Sequence, residues 1–146
     1  MERCKAAFDK TRIDMIITQE ILDDLTAQAK ASPRLRMAFD LRNTPEEDSQ
    51  RMLNAIEPGT EIPIHRHFDS NETVFCVRGH FQECLYDNDG NLEQVIDMVP
   101  GGNIVIVPAG QWHNLKSLES GTILAEAKHG KYEPLKEENI LKVDSL

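Results

Sequence analysis

No apolar run among the 146 residues approaches the roughly 20 that a membrane-spanning helix needs. The opening residues, MERCKAAFDK, lack the apolar stretch of a secretory signal, so we expect a cytoplasmic chain. Cysteine is scarce. Cys4, Cys76 and Cys84 are odd in number and show no C-x-x-C spacing, which predicts reduced thiols rather than a disulfide framework or a thiolate metal site. Positive charge is also short: 16 Lys and Arg face 25 acidic residues, a formal net charge of −9. That balance disfavours nucleic acid and anionic membrane as partners, because each repels it. With 8 Gly, 7 Pro and 28% charged residues, collagen-like, low-complexity and wholly disordered classes are excluded.

What remains is a soluble acidic chain, read as a single domain over residues 1–146. At this length one core buries roughly 68–70% of the unfolded surface, so no metal or disulfide is required merely to fold. Ile21, Leu22, Leu25 and Ala29 recur on one helical face, which predicts a helix over residues 19–31 with Thr18 as N-cap. Ser32-Pro33 ends it. From Arg34 to Arg42 apolar and charged residues alternate, the pattern of a half-buried strand, and Thr44-Pro45-Glu46-Glu47 predicts one short turn. Further on, short β-branched and aliphatic runs (Thr73–Val77, Ile104–Val107, Thr122–Ala127) are separated by Gly- and Pro-containing turns, and Asp89-Gly90 reads as a two-residue hairpin turn. The chain is therefore expected to be mainly β, a sandwich or barrel over about residues 34–132, with a polar tail that docks loosely or as a short helix.

Chemistry concentrates in two stretches. His65 and His67 are two residues apart, so on a strand both rings leave the same face, and Glu72 opens the returning strand beside them. In the second stretch, Pro108-x-Gly110 makes a tight turn that presents His113. Three imidazoles and one carboxylate suit Fe(II), Mn(II), Ni(II), Cu or Zn(II). An isolated His-x-His is more often a pair of exposed or core histidines; the ordered frame of glycines, proline, glutamate and a third histidine is what favours ligation here.

That frame resembles the cupin superfamily. Gly59, His65, His67, Glu72 and Gly79 fit every interval of its first motif; Gly102, Pro108, Gly110 and His113 fit its second, with Ser117 where the family usually has Asn. The resemblance implies a double-stranded β-helix, or jelly roll, holding one divalent transition metal (Fe, Mn, Ni or Zn) on His65, His67, Glu72 and His113. Ser32-Pro33-Arg34-x-Arg36, Gln50-Arg51-Met52-Leu53, Pro63-x-His65-Arg66-His67 and Glu126-x-Lys128-x-Gly130-x-Tyr132 further resemble the WbuC-type cupin-fold metalloproteins, although Leu41-Arg42-Asn43 stands where that group tends to have histidine. The narrower resemblance implies a metal-dependent enzyme acting on a small polar metabolite, such as a sugar or nucleotide-sugar derivative of polysaccharide metabolism, by isomerisation, epimerisation or oxidation. A non-catalytic binding or sensing module and an Fe(II)-dependent dioxygenase are the alternatives.

Strand phase suggests the other site residues. Glu126 is the candidate catalytic acid or base, with a structural role as its alternative. Arg36, Cys76, Ser117, Lys128 and Tyr132 are the candidate ligand contacts; Cys76 also reads as a small buried hydrophobe, and Tyr132 and Trp112 as packing aromatics. Of the strands, one of two alternating sets in Thr122–Lys128 lines the pocket. Arg34, Arg36 and Arg42 share a face that either clamps an anion or pairs with the chain's acids. One carboxylate against a divalent ion leaves the site locally cationic, so the expected ligand is anionic or oxygen-rich. Open sheet edges and apolar outer faces predict a homodimer.

Overall fold

A computed structural model of the chain describes residues 16–142. Cys4 and the MERCKAAFDK segment lie outside the described residues. The helix α1 (Gln19–Ala31) starts where the Thr18 hydroxyl accepts from the Ile21 amide, a cap that contributes about 1 kcal/mol. It ends at Ser32, whose amide returns to Gln28 and Ala29. Leu22, Leu25 and Ala29 bury its apolar stripe against Met37, Phe39, Leu53, Ala55 and Ile123. Each large side chain buried there contributes roughly 1.5–3 kcal/mol. Ile21 is only half-buried, and Thr26 takes its expected place inside, where its hydroxyl accepts from Arg78 at 2.9 Å.

Eight strands follow: β1 (Arg36–Asp40), β2 (Ser49–Ile56), β3 (Glu72–Arg78), β4 (Phe81–Tyr86), β5 (Leu92–Met98), β6 (Ile104–Val107), β7 (Trp112–Ser117) and β8 (Thr122–His129). They form two antiparallel sheets, ordered β1-β2-β8-β3-β6 and β5-β4-β7, which face each other as a jelly roll. Helix α1 covers the outer face of β1, β2 and β8. Between the sheets a second apolar cluster (Ile56, Val74, Cys76, Phe81, Met98, Val105, Val107 and Leu124) fills one end. The other end is left for the site.

Several expectations change. The first strand is not half-buried: α1 covers one face and the barrel interior the other, so four of its five residues are buried. Arg42, expected to share with Arg34 and Arg36 a face that either clamps an anion or pairs with the chain's acids, takes the second course: it is 2% exposed and donates to both Asp40 carboxylate oxygens, with Nη2 at 2.8 Å. Asp89-Gly90 is not a two-residue hairpin loop either. The Asp87 carboxylate accepts from the Asp89 and Asn91 amides and organises a longer connection between β4 and β5. Thr44–Glu47 makes a turn, as expected. The tail docks: a 3-10 turn at Glu137–Asn139 is followed by Leu141, whose amide donates to Ile64, while Arg66 donates to Asn139.

Candidate metal centre and ligand cavity

Main-chain hydrogen bonds join the two histidine-bearing stretches. His65 and His113 exchange N–H···O bonds of 3.0 and 2.9 Å, and the Gly110 amide donates to His67 at 2.7 Å. Gly110 adopts φ 84°, which lets the Pro108–Gly110 turn bring β7 alongside the His65 segment. Gly79, at the far end of β3, has φ 86° and lies so close to Thr122 that a Cβ would fall 2.3 Å from its hydroxyl. A side chain there would push β3 away from β8, and with it Glu72.

The ligand atoms of His65, His67 and His113 lie within 4.8 Å of one another. Two rings are anchored through Nδ1, which lies 2.8 Å from the Pro63 carbonyl in His65 and 2.9 Å from the Gln111 carbonyl in His113. A carbonyl only accepts, so Nδ1 carries the proton and the Nε2 lone pair is left for the site. In His113 that Nε2 is buried without a hydrogen-bond partner. The Glu72 Oε2 lies 3.1 Å from His67 Nε2 and 3.6 Å from His113 Nε2; the second contact is electrostatic rather than a hydrogen bond. Oriented imidazoles, an orphaned buried nitrogen and an adjacent carboxylate suit a divalent transition metal.

Electrostatics separates the titrating groups. Burial and the neighbouring His113 push His65 down to about 4, so its ring is neutral. Burial opposes the charged form of Glu72, yet the His113, His67 and Glu126 contacts outweigh it and hold the carboxyl well below its usual range. Glu126 goes the other way: burial, then the Glu72 charge and hydrogen bond, raise it well above that range. Its Oε1 accepts from Asn54 at 2.8 Å.

Around this cluster is a cavity of about 410 Å³, a size suited to a small metabolite. Of the expected ligand contacts, Arg36, Lys128 and Tyr132 line it, as does Glu126. The pocket-facing set on β8 is Thr122, Leu124, Glu126 and Lys128, since Leu124, Glu126 and Lys128 line the cavity while Ile123 packs toward α1. Cys76 and Ser117 do not line it. The Cys76 side chain belongs to the apolar cluster, and burial raises its thiol pKa. Ser117 bridges elements, its hydroxyl donating to the Ile56 carbonyl at 2.8 Å and approaching that of Glu119. Trp112 stacks on Arg66 at 4.2 Å and is a packing aromatic. Sequence reasoning missed Glu83, Asn54 and the tail residue Ile140, all of which line the cavity. Glu83 was readable from the alternation Phe81, Glu83, Leu85, which sets a carboxylate on an apolar face.

The fold is that of cupin proteins. KdgF from Halomonas sp. shares it at 19% identity and a TM-score of 0.53, over 69% of this chain and 84% of that one. An oxalate oxidase in complex with the substrate analogue glycolate matches at 14% identity and 0.56, over 70% and 54%. Oxalate decarboxylase from Bacillus subtilis matches at 19% identity and 0.53, over 71% and 26%, so this chain spans only part of the latter two. No functionally curated protein matches by sequence. Residues 17–98, more than half of the sequence and including α1, His65, His67 and Glu72, match the family described as Domain of unknown function (DUF6016), and the chain belongs to that family.

Proposed function

We propose that this protein binds one divalent transition metal (Fe, Mn, Ni or Zn) through His65, His67, His113 and Glu72, and is a metal-dependent enzyme for a small, anionic or oxygen-rich metabolite. The observation that carries this reading is the buried His113 Nε2, which has no hydrogen-bond partner and faces the other two rings. Bound there, a metal would supply Lewis acidity, polarising a carbonyl or hydroxyl oxygen or lowering the pKa of water. The chain's own residues do the rest. Arg36 and Lys128 attract the ligand's negative charge, Glu126 is placed to hold or deliver a proton, and Met52, Leu115 and Leu124 exclude water. The WbuC-type resemblance supports a sugar or nucleotide-sugar derivative, with isomerisation, epimerisation or oxidation as the reaction. We read the whole chain as one functional domain. Free Cys76 and Cys84 support a cytoplasmic setting, and no helix among the described residues is long and apolar enough to cross a membrane.

Metal analysis of protein purified without chelator tests this directly. We expect about one metal per chain in the wild type and a large loss in His113→Ala. Melting should follow: a metal present at 100 times its Kd adds about 2.7 kcal/mol to the folded state, and His113→Ala should lose that gain. A wild-type chain that neither retains metal nor gains stability from it overturns the reading. Metal without turnover of any sugar phosphate, but with ligand-induced stabilisation, would identify a binding module instead.

A further inference from the structure

Glu83 takes no part in the metal chemistry outlined above. It lies on β4 between Phe81 and Leu85, and all three side chains point into the barrel. It is 1% exposed, and its Oε2 is a buried oxygen with no hydrogen-bond partner. Among the described residues it forms no ion pair. The register of β4 with β7 sets Leu85 opposite His113 and Glu83 opposite Leu115. Two residues of strand are about 6.6 Å, so the carboxyl stands one layer deeper than the histidine cluster. It lines the same cavity.

A buried carboxyl without a partner is costly, and an apolar side chain would fill this place at lower cost. Burial pushes its pKa up to about 8, with the Glu72 charge adding to that and His113 opposing it, so near neutrality it is mostly a neutral acid. A neutral carboxyl both donates and accepts, as a hydroxyl does. The rest of the cavity offers complementary chemistry: Lys128, 3.2 Å from His67 Nδ1, stands at the histidine end, while Leu115 and Leu124 give it apolar walls.

We propose that Glu83 is a ligand-binding residue that receives, one layer deeper than the histidine cluster, the hydroxyl group of a small hydroxy acid whose carboxylate is held beside that cluster by Lys128. The inference deepens the metal-site reading and rests on it for the position of the carboxylate.

The probes are 4-hydroxybutyrate and butyrate, which differ by one hydroxyl too far from the carboxylate to favour chelation. Binding of each to the Zn²⁺-loaded full chain is measured by calorimetry. We expect the wild type to prefer the hydroxy acid by about tenfold. Glu83→Met should reduce that preference to within about twofold while leaving Zn²⁺ affinity unchanged, and Glu83→Gln should keep part of it. Equal affinities in the wild type, or a preference that survives in Glu83→Met, overturn the assignment. A thermal melt confirms that each variant is folded. If the wild type binds no Zn²⁺, the metal reading fails by itself, and the same comparison on the metal-free chain decides the role of Glu83.

Discussion

Lys128 Nζ lies 3.2 Å from Nδ1 of His67, in the place where His65 and His113 each have a backbone carbonyl. An ammonium can only donate, so the His67 ring accepts at Nδ1 and carries its proton on Nε2, toward Glu72. A metal needs the Nε2 lone pair, and the proton displaced to Nδ1 would then face the ammonium. Lys128 thus works against metal loading while it adds a cation to the ligand cavity. Lys128→Met should raise Zn²⁺ affinity about tenfold and weaken binding of small carboxylates. Calorimetry with Zn²⁺ checks it; unchanged or weaker Zn²⁺ binding would count against the conflict.

Metal affinity should fall as the solution is acidified. Burial opposes the charged form of His113, but Glu72 outweighs it and raises the ring above 6.5. Its proton therefore competes with metal from above that pH downward, whereas His65, at about 4, does not compete until far lower. Each displaced proton costs roughly tenfold in affinity per pH unit below the ring's pKa. Competition with a chromophoric chelator between pH 5.5 and 8 should show the decline, and a flat profile would contradict it.

Glu83 also links stability to pH. Its folded value of about 8 lies above the usual 4.5, so between these values the folded chain keeps a proton that the unfolded chain has released. This contribution is fully present below about pH 4.5 and is lost as pH rises to about 8, at up to about 1.4 kcal/mol per unit. Glu83→Met should remove that slope and be the more stable protein at pH 8. Urea denaturation at pH 5, 6.5 and 8 measures both.

The outer face of β3 and β6 carries Phe75, Ile104 and Ile106, which are 42%, 68% and 64% exposed, with Phe75 opposite Ile104. β6 is an edge strand. A bare apolar edge favours self-association, and the homodimer expected from the sequence is predicted to form through this surface. Light scattering should give a dimer for the wild type and a monomer for Ile104→Lys, with the melting temperature of the monomer close to that expected for its lower order of assembly.

The helix was legible in the sequence because cap, apolar stripe and Ser-Pro stop all lie within one local segment, and local patterns need no knowledge of the rest of the chain. The histidine cluster was legible for a related reason. His65 and His67 stand two residues apart, in a segment that makes only an isolated bridge to His113 and not the full strand expected, Glu72 follows after a turn, and the Pro-x-Gly turn marks His113 at a fixed distance. For Arg42 the sequence left open whether it clamps an anion or pairs with an acid, because alternation reports which residues share a face, not whether a helix or a second sheet covers that face. Once both faces of β1 are covered, Arg42 takes the acid two residues away rather than a ligand.

What the tertiary structure alone decided is register and depth. The pairing of β8 with β2 and β3 sets Glu126 and Lys128 inward, beside Asn54, Glu72 and His67, a choice that alternation left open. The same pairing leaves Cys76 in the apolar cluster and out of the cavity. Glu83 stood in plain view of the sequence, but its lack of a partner depends on every element packed around it. Residue types and spacing determined which chemistry this chain can carry. Burial, which removes water and leaves each polar atom only the partners that long-range packing brings, decided which groups are placed together to carry it.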